Sequence, residues 1–169
     1  MQYVSIWALI AVAVGLIAFV FYKLKKLKLG SLIALPLLAF YLSFVFTITL
    51  FERIPTSLAR YELNLFWTYE AILAGRSDLK AEIFWNVVLF IPIGFLILFL
   101  LTKKLRWLGI VIGLLISAGI EVCQLVFHRG LFEFDDIIHN TLGTVIGIGI
   151  FMLTRWLLKL VTAKHRTLC

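Results

Sequence analysis

Five long apolar runs, at about 3–22, 29–50, 82–101, 107–127 and 136–158, alternate with short polar segments along the chain. Each approaches the roughly 20 residues a helix needs to cross hydrocarbon at about 1.5 Å per residue. Lipid offers no hydrogen-bond partners, so a spanning segment must satisfy its backbone internally, and each run predicts an α-helix. The long segment 51–81 differs: Leu63, Phe66, Trp67, Tyr69, Ala71 and Ala74 are spread among charges. It predicts an amphipathic turn at the membrane interface, with aromatic rings at head-group level. The expected fold is all-α, a multi-pass transmembrane helical bundle of about five spans. It divides into N-terminal spans and a basic loop at 1–43, a central unit at 44–151 that contains the outer loop 51–81, and a final span end with a basic tail at 152–169. The first run reads as a retained anchor, because no basic side chain lies in Met1-Gln2-Tyr3 and no small-residue cleavage site precedes Lys23.

Composition agrees with lipid as the solvent. The hydrophobic fraction is 63% and the charged fraction 15%, against about 45–50% and 25% for soluble domains. A soluble domain, a disordered chain and a disulfide scaffold are excluded. The net charge of +7 resolves by position. Eleven of the sixteen basic residues, among them Lys23, Lys25, Lys26, Lys28, Lys103, Lys104, Arg106 and Arg155, flank one set of span ends. The other five, Arg53, Arg60, Arg76, Lys80 and Arg129, share the opposite side with all nine acidic residues. Lys and Arg are retained on the cytoplasmic side, so the N-terminus is expected outside and the C-terminus in the cytoplasm. The basic side then faces an anionic leaflet, which accounts for the charge without nucleic acid. Cys123 and Cys169 lie toward opposite membrane faces and are not expected to pair.

Candidate chemistry comes from polar residues inside the apolar runs, where an ionisable group is costly and marks a site. Asn86 on the third span, Glu121 and Gln124 on the fourth, and Asp136, His139 and Asn140 on the fifth all fall at the outer ends of their spans. Helical period adds that Gly109, Gly113, Ser117 and Glu121 share one face, and Asp136, Asn140, Gly143 and Gly147 another. Small residues at that spacing let membrane helices approach, so the polar groups are expected to point into the bundle, with Gly143 leaving room for the Glu121 carboxylate. A pocket open to the outer leaflet follows. Asp135 and Asp136 equally suit a cap on the fifth helix. His128 and His139, with Glu121 and Asp136, supply metal-donor types at no diagnostic spacing, so neither metal nor cofactor is predicted.

The strings Asn86-Val-Val-Leu-Phe-Ile-Pro-Ile-Gly-Phe95, Ser117 to Glu121-Val-Cys-Gln124, and Arg129-Gly-Leu-Phe-Glu-Phe-Asp-Asp136-Ile-Ile-His-Asn140-Thr-Leu-Gly143, with Arg60 and Asn64-Leu-Phe-Trp67 before them, resemble the VanZ-like family. The resemblance covers about 44–151. It implies a bacterial multi-pass membrane protein, some relatives being associated with reduced susceptibility to teicoplanin-type glycopeptides. It also implies motif positions at Arg60, Asn64, Asn86, Pro92, Glu121, Gln124, Arg129, Asp135, Asp136, Asn140 and Gly143. One function compatible with these residues is binding or shielding of a lipid-linked envelope component, with Arg60 and Arg129 on its phosphate or carboxylate and Asn64, Asn86, Gln124, Asp135 and Asn140 around it. The alternative is an enzyme modifying an envelope lipid or its head group, with Glu121 and Asp136 as acid and base and His139 assisting. Transport is disfavoured, because the inner halves of the last three spans are nearly all apolar and no internal repeat appears. Expected partners are membrane lipids, including a lipid-linked precursor, and a second copy through unused glycine faces.

Overall fold

A computed structural model describes residues 3–166, with side chains through residue 163. In chain order the elements are α1 (Val4–Lys23), α2 (Leu29–Phe46) and a π-helical turn (Thr47–Phe51), then β1 (Tyr61–Glu62), α3 (Trp67–Leu73) and α4 (Leu79–Ile97). A 3-10 turn (Lys103–Leu105), α5 (Leu108–Val126), β2 (Phe132–Glu133) and α6 (Phe134–Arg166) complete the chain. Five helices are long and apolar enough to cross a membrane, as the hydropathy pattern predicts. Two features were not predicted. The strands form a short parallel pair with Tyr61 opposite Phe132 and Glu62 opposite Glu133, and α2 passes into its π turn, where Thr47 and Thr49 hydroxyls donate back to the Ser43 and Val45 carbonyls. The amphipathic turn expected in the outer loop is α3.

The bundle is organised by α6, which lies along both α4 and α5. Its contact with α4 is backbone to backbone: Gly143 faces the Val87 carbonyl, Gly147 the Ile91 carbonyl, and Gly94 of α4 the Thr144 carbonyl. Dispersion and close packing replace the hydrophobic effect between helices in lipid, and glycine permits this approach. Gly113 of α5 sits against the Thr144 side chain. This corrects one expectation: Gly143 is filled by α4 and does not make room for Glu121. Beside the seam, Leu38, Val45, Phe90, Ile93, Ile97 and Ile120 form the core. Helix α1 is peripheral, its apolar side chains largely exposed toward what lipid would fill; Trp7 docks it by an indole hydrogen bond to Thr47 Oγ1 at 3.0 Å.

Helix ends follow from local geometry. Helix α5 ends with His128 at φ +54°, its N–H and that of Arg129 returning to the Leu125 and Gln124 carbonyls. His128 is therefore a helix terminator whose carbonyl accepts from Thr56. Cys123 is a free, partly buried cysteine; Cys169 lies outside the described residues, as does the end of the tail.

Candidate functional site

The site assembles at the acidic end of α4, α5 and α6. Glu121, one turn above Ser117 on α5, accepts the Glu133 backbone N–H at 3.0 Å. That bond seats β2 over the end of α5, and the Glu133 side chain is buried, close to Asp136. On α6, Asp136 accepts from Asn86 Nδ2 of α4 at 2.6 Å. One turn deeper, Asn140 Nδ2 donates to Ser117 Oγ at 2.9 Å. The result is a ladder of polar rungs between helices, each upper rung ending on a carboxylate acceptor.

Three of those carboxylates converge. One oxygen each from Glu82, Glu133 and Asp136 lie within 4.8 Å of one another. Like charges this close, out of water, favour protonation. Burial first, then the charges of Asp136 and Glu82, push the Glu133 carboxyl up to about 8. Arg53, just beyond the π turn, is the cation whose charge reaches Glu121, Glu133 and Asp136. An all-oxygen donor set of this kind is also what a hard divalent cation such as Mg²⁺ or Mn²⁺ takes. Protons and a divalent cation are thus two ways of balancing the same cluster.

Asp135 has a different task. Its two oxygens accept the backbone N–H groups of Phe66, at 2.6 Å, and Thr68, at 3.0 Å. It therefore caps α3, across 67–69 residues of chain, and not α6 as its own sequence context suggests. Phe66 reaches this position with φ +67°. The capped helix delivers Tyr69, whose hydroxyl meets His139 Nε2 at 2.9 Å. His139 is buried, and its Nδ1 has no hydrogen-bond partner among the described residues. The same holds for Gln124 Oε1 and Asn140 Oδ1.

A groove leads into this cluster from the side. It has a volume of about 390 Å³ and lies between α2 with its π turn and α4. Tyr41, Phe44, Ile48, Val88 and Leu89 make it apolar, and Arg53 and Asn86 close its acidic end. Asn86 thus belongs to both groove and cluster. Arg129 fixes the segment that carries Arg53, since its Nη1 donates to the carbonyls of Leu50, Phe51 and Arg53 at 3.2, 3.0 and 3.1 Å. Gln124 Nε2 reinforces the same turn by donating to the Thr49 carbonyl at 3.2 Å.

Of the residues predicted from sequence, Asn86, Glu121, Gln124, Asp135, Asp136, His139 and Asn140 come together, all but Asn86 fully buried. Arg60 and Asn64 do not join them. Both are exposed on the outer loop, where the Asn64 N–H donates to Glu62 at 2.9 Å. Arg129 stands apart from the cluster, bound to the backbone carbonyls of the segment that carries Arg53. Glu133, Glu82, Arg53 and Tyr69 were missed. Glu133 carried a usable signal: it alternates with Phe132 and Phe134 in a segment too short to be a helix, and alternation puts neighbouring side chains on opposite faces.

The profile of the VanZ/LLP1 family matches residues 9–157. The chain belongs to the VanZ/LLP1 family. The match reaches into all five long helices, a wider extent than the 44–151 over which the sequence resemblance runs. Of the motif positions on α4, α5 and α6, Gly143 lies in the glycine seam, Asn86, Glu121, Asp136 and Asn140 in the polar ladder, and Gln124 and Asp135 hold neighbouring turns. No curated protein and no solved structure matches the chain.

Proposed function

We propose that this VanZ/LLP1-family membrane protein binds a lipid-linked component of the bacterial cell envelope from the outer leaflet, its lipid chain in the α2–α4 groove and its anionic head group at Arg53 and Asn86. The observation that carries this reading is the groove: a mostly apolar concavity whose wall also holds the Arg53 guanidinium and the Asn86 amide bonded to Asp136. Arginine meets phosphate or carboxylate oxygens with paired charge-assisted bonds. The bias of basic residues toward the other span ends supports an extracytoplasmic position for the cluster. Holding such a component in the leaflet lowers surface binding of teicoplanin-type glycopeptides, the role the family resemblance implies.

The convergence of Glu82, Glu133 and Asp136 favours a second reading, an enzyme that alters the bound head group. A carboxyl at about 8, like that of Glu133, keeps its proton near neutral pH and can pass it to a departing oxygen. Asp136, whose carboxylate accepts from Asn86, takes the proton of the attacking water. His139, held by Tyr69, stands one turn along α6 from Asp136 and can relay a proton at Nδ1, which has no hydrogen-bond partner among the described residues.

The test is lipid mass spectrometry on protein purified from a glycopeptide-sensitive Gram-positive host. Wild type should carry an anionic lipid-linked species that Arg53→Gln loses several-fold, and cells expressing wild type should bind less fluorescent teicoplanin than cells expressing Arg53→Gln or Glu121→Gln. Absence of any such species from wild type overturns the binding reading. A whole-cell lipid that appears or vanishes with wild type but not with Glu133→Gln selects the enzyme.

A further inference from the structure

At the opposite end of the helices a second concavity, also of about 390 Å³, opens between the start of α2, the turn joining α4 to α5, and α6. Three elements distant in sequence bring four cations to its wall: Lys28, Lys103, Arg106 and Arg155. No acidic side chain among the described residues balances them. All nine acidic residues fall between Glu52 and Asp136, on or near the other end of the helices, and the one ion pair among the described residues, Arg76 with Asp78, is also there. Arg106 is held in place rather than waving in solvent: its guanidinium lies 5.6 Å over the Phe151 ring, and its buried Nε has no hydrogen-bond partner among the described residues. The first turn of α2 adds backbone donors. It has no side-chain cap, and its first internal bond is from Leu32 N–H to the Lys28 carbonyl at 3.0 Å, which leaves the preceding N–H groups, including that of Gly30 in the pocket wall, unpaired within the helix. Ser31 pins this turn to the α4 end by donating to the Phe99 carbonyl at 2.8 Å. Four converging cations, an oriented guanidinium with an unused donor and a helix start of 18 residues are the elements of an oxyanion site.

We propose that this basic pocket is a second, separate binding site for a phosphate group, supplied by the head group of an anionic lipid or by free phosphate. It differs from a general attraction of basic loops to an anionic leaflet, because the four cations share one cavity while Lys25 and Lys26, on the same face, lie outside it.

The experiment uses the full chain in phosphatidylcholine nanodiscs. In one arm phosphatidylglycerol is titrated in and retained lipid is read by native mass spectrometry; in the other, inorganic phosphate is titrated and followed by phosphorus NMR line broadening. Losing one charge-assisted bond weakens binding by about tenfold. Arg106→Gln and Lys103→Gln should each show that loss, and the double substitution Lys25→Gln with Lys26→Gln should not. Lys103 is exposed on its turn, so its variant keeps the test open if Arg106→Gln fails to fold. Retention of phosphatidylglycerol assigns the phosphate to a lipid, and saturable phosphate broadening without lipid preference assigns it to a free anion. Equal losses in the Lys25/Lys26 variant, or no binding of either probe by wild type, overturn the proposal. Arg53→Gln, in the outer groove, should leave this binding unchanged, so a loss confined to Arg106→Gln and Lys103→Gln is distinguishable from any lipid held in that groove.

Discussion

Replacing Gly143 by Ala tests how the seam between α4 and α6 holds the site together. The added methyl would overlap the Val87 carbonyl and lie 3.0 Å from Phe90 Cβ. Neither is the loose end of a flexible side chain, so the two helices must part by on the order of 1 Å to regain a spacing of about 3.5 Å. Overpacking of this kind costs about 1–3 kcal/mol, which for a chain of this size lowers Tm by roughly 3–10 °C. The same movement lengthens the bond from Asn86 to Asp136, now 2.6 Å, to about 3.6 Å, beyond hydrogen-bonding distance. It also draws Glu82 away from Glu133 and Asp136. Gly149 is the control, since nothing lies within 4 Å of its position; there alanine removes a weak helix former and should leave Tm unchanged or raise it slightly. Thermal unfolding of the purified protein in detergent, followed by tryptophan fluorescence, reads both. A Gly143→Ala variant as stable as wild type, or a Gly149→Ala variant equally impaired, would refute the seam as described.

Further outcomes follow from the cluster and its cap. Glu133 binds its proton more tightly when folded, at about 8 against an ordinary 4.5, so its contribution to stability is complete below pH 4.5 and is lost as pH rises through 8; Tm in detergent should fall across that window in wild type, and Glu133→Gln should flatten the fall. Asp135→Asn removes the charge from two bonds to backbone N–H groups and leaves a single acceptor oxygen, which should loosen α3 by about 1.5–3 kcal/mol and accelerate limited proteolysis between residues 63 and 75. If proteolysis there is unchanged, Asp135 does not hold α3.

Much of the site was legible because it rests on rules that operate along the chain. Helical period put Glu121 with Ser117 and Asp136 with Asn140, and depth within the apolar runs placed them at a common level. Reading failed where residues are related through the fold alone. Asp135 has every local attribute of a cap for α6, yet the helix it caps begins 68 residues earlier, when Phe66 turns left-handed to reach it. Arg60 and Arg53 are indistinguishable as outer-loop arginines. Only Arg53 follows a turn whose carbonyls Arg129 gathers, and that bond carries it to the groove. Periodicity marks Gly143 as a packing position but not its neighbour, which is α4 rather than the Glu121 carboxylate.

The number of spans, the charge asymmetry between their ends and the family are legible from the chain alone, since length, hydropathy and ordered motifs are properties of consecutive residues. The tertiary structure alone decided that Glu82, Glu133 and Asp136 share one space, that Arg53 stands between them and a groove, and that four cations meet at the far end. Those juxtapositions depend on how closely α6 settles against α4 and on which way two short outer segments pair, and both are set by packing between helices that no local pattern encodes.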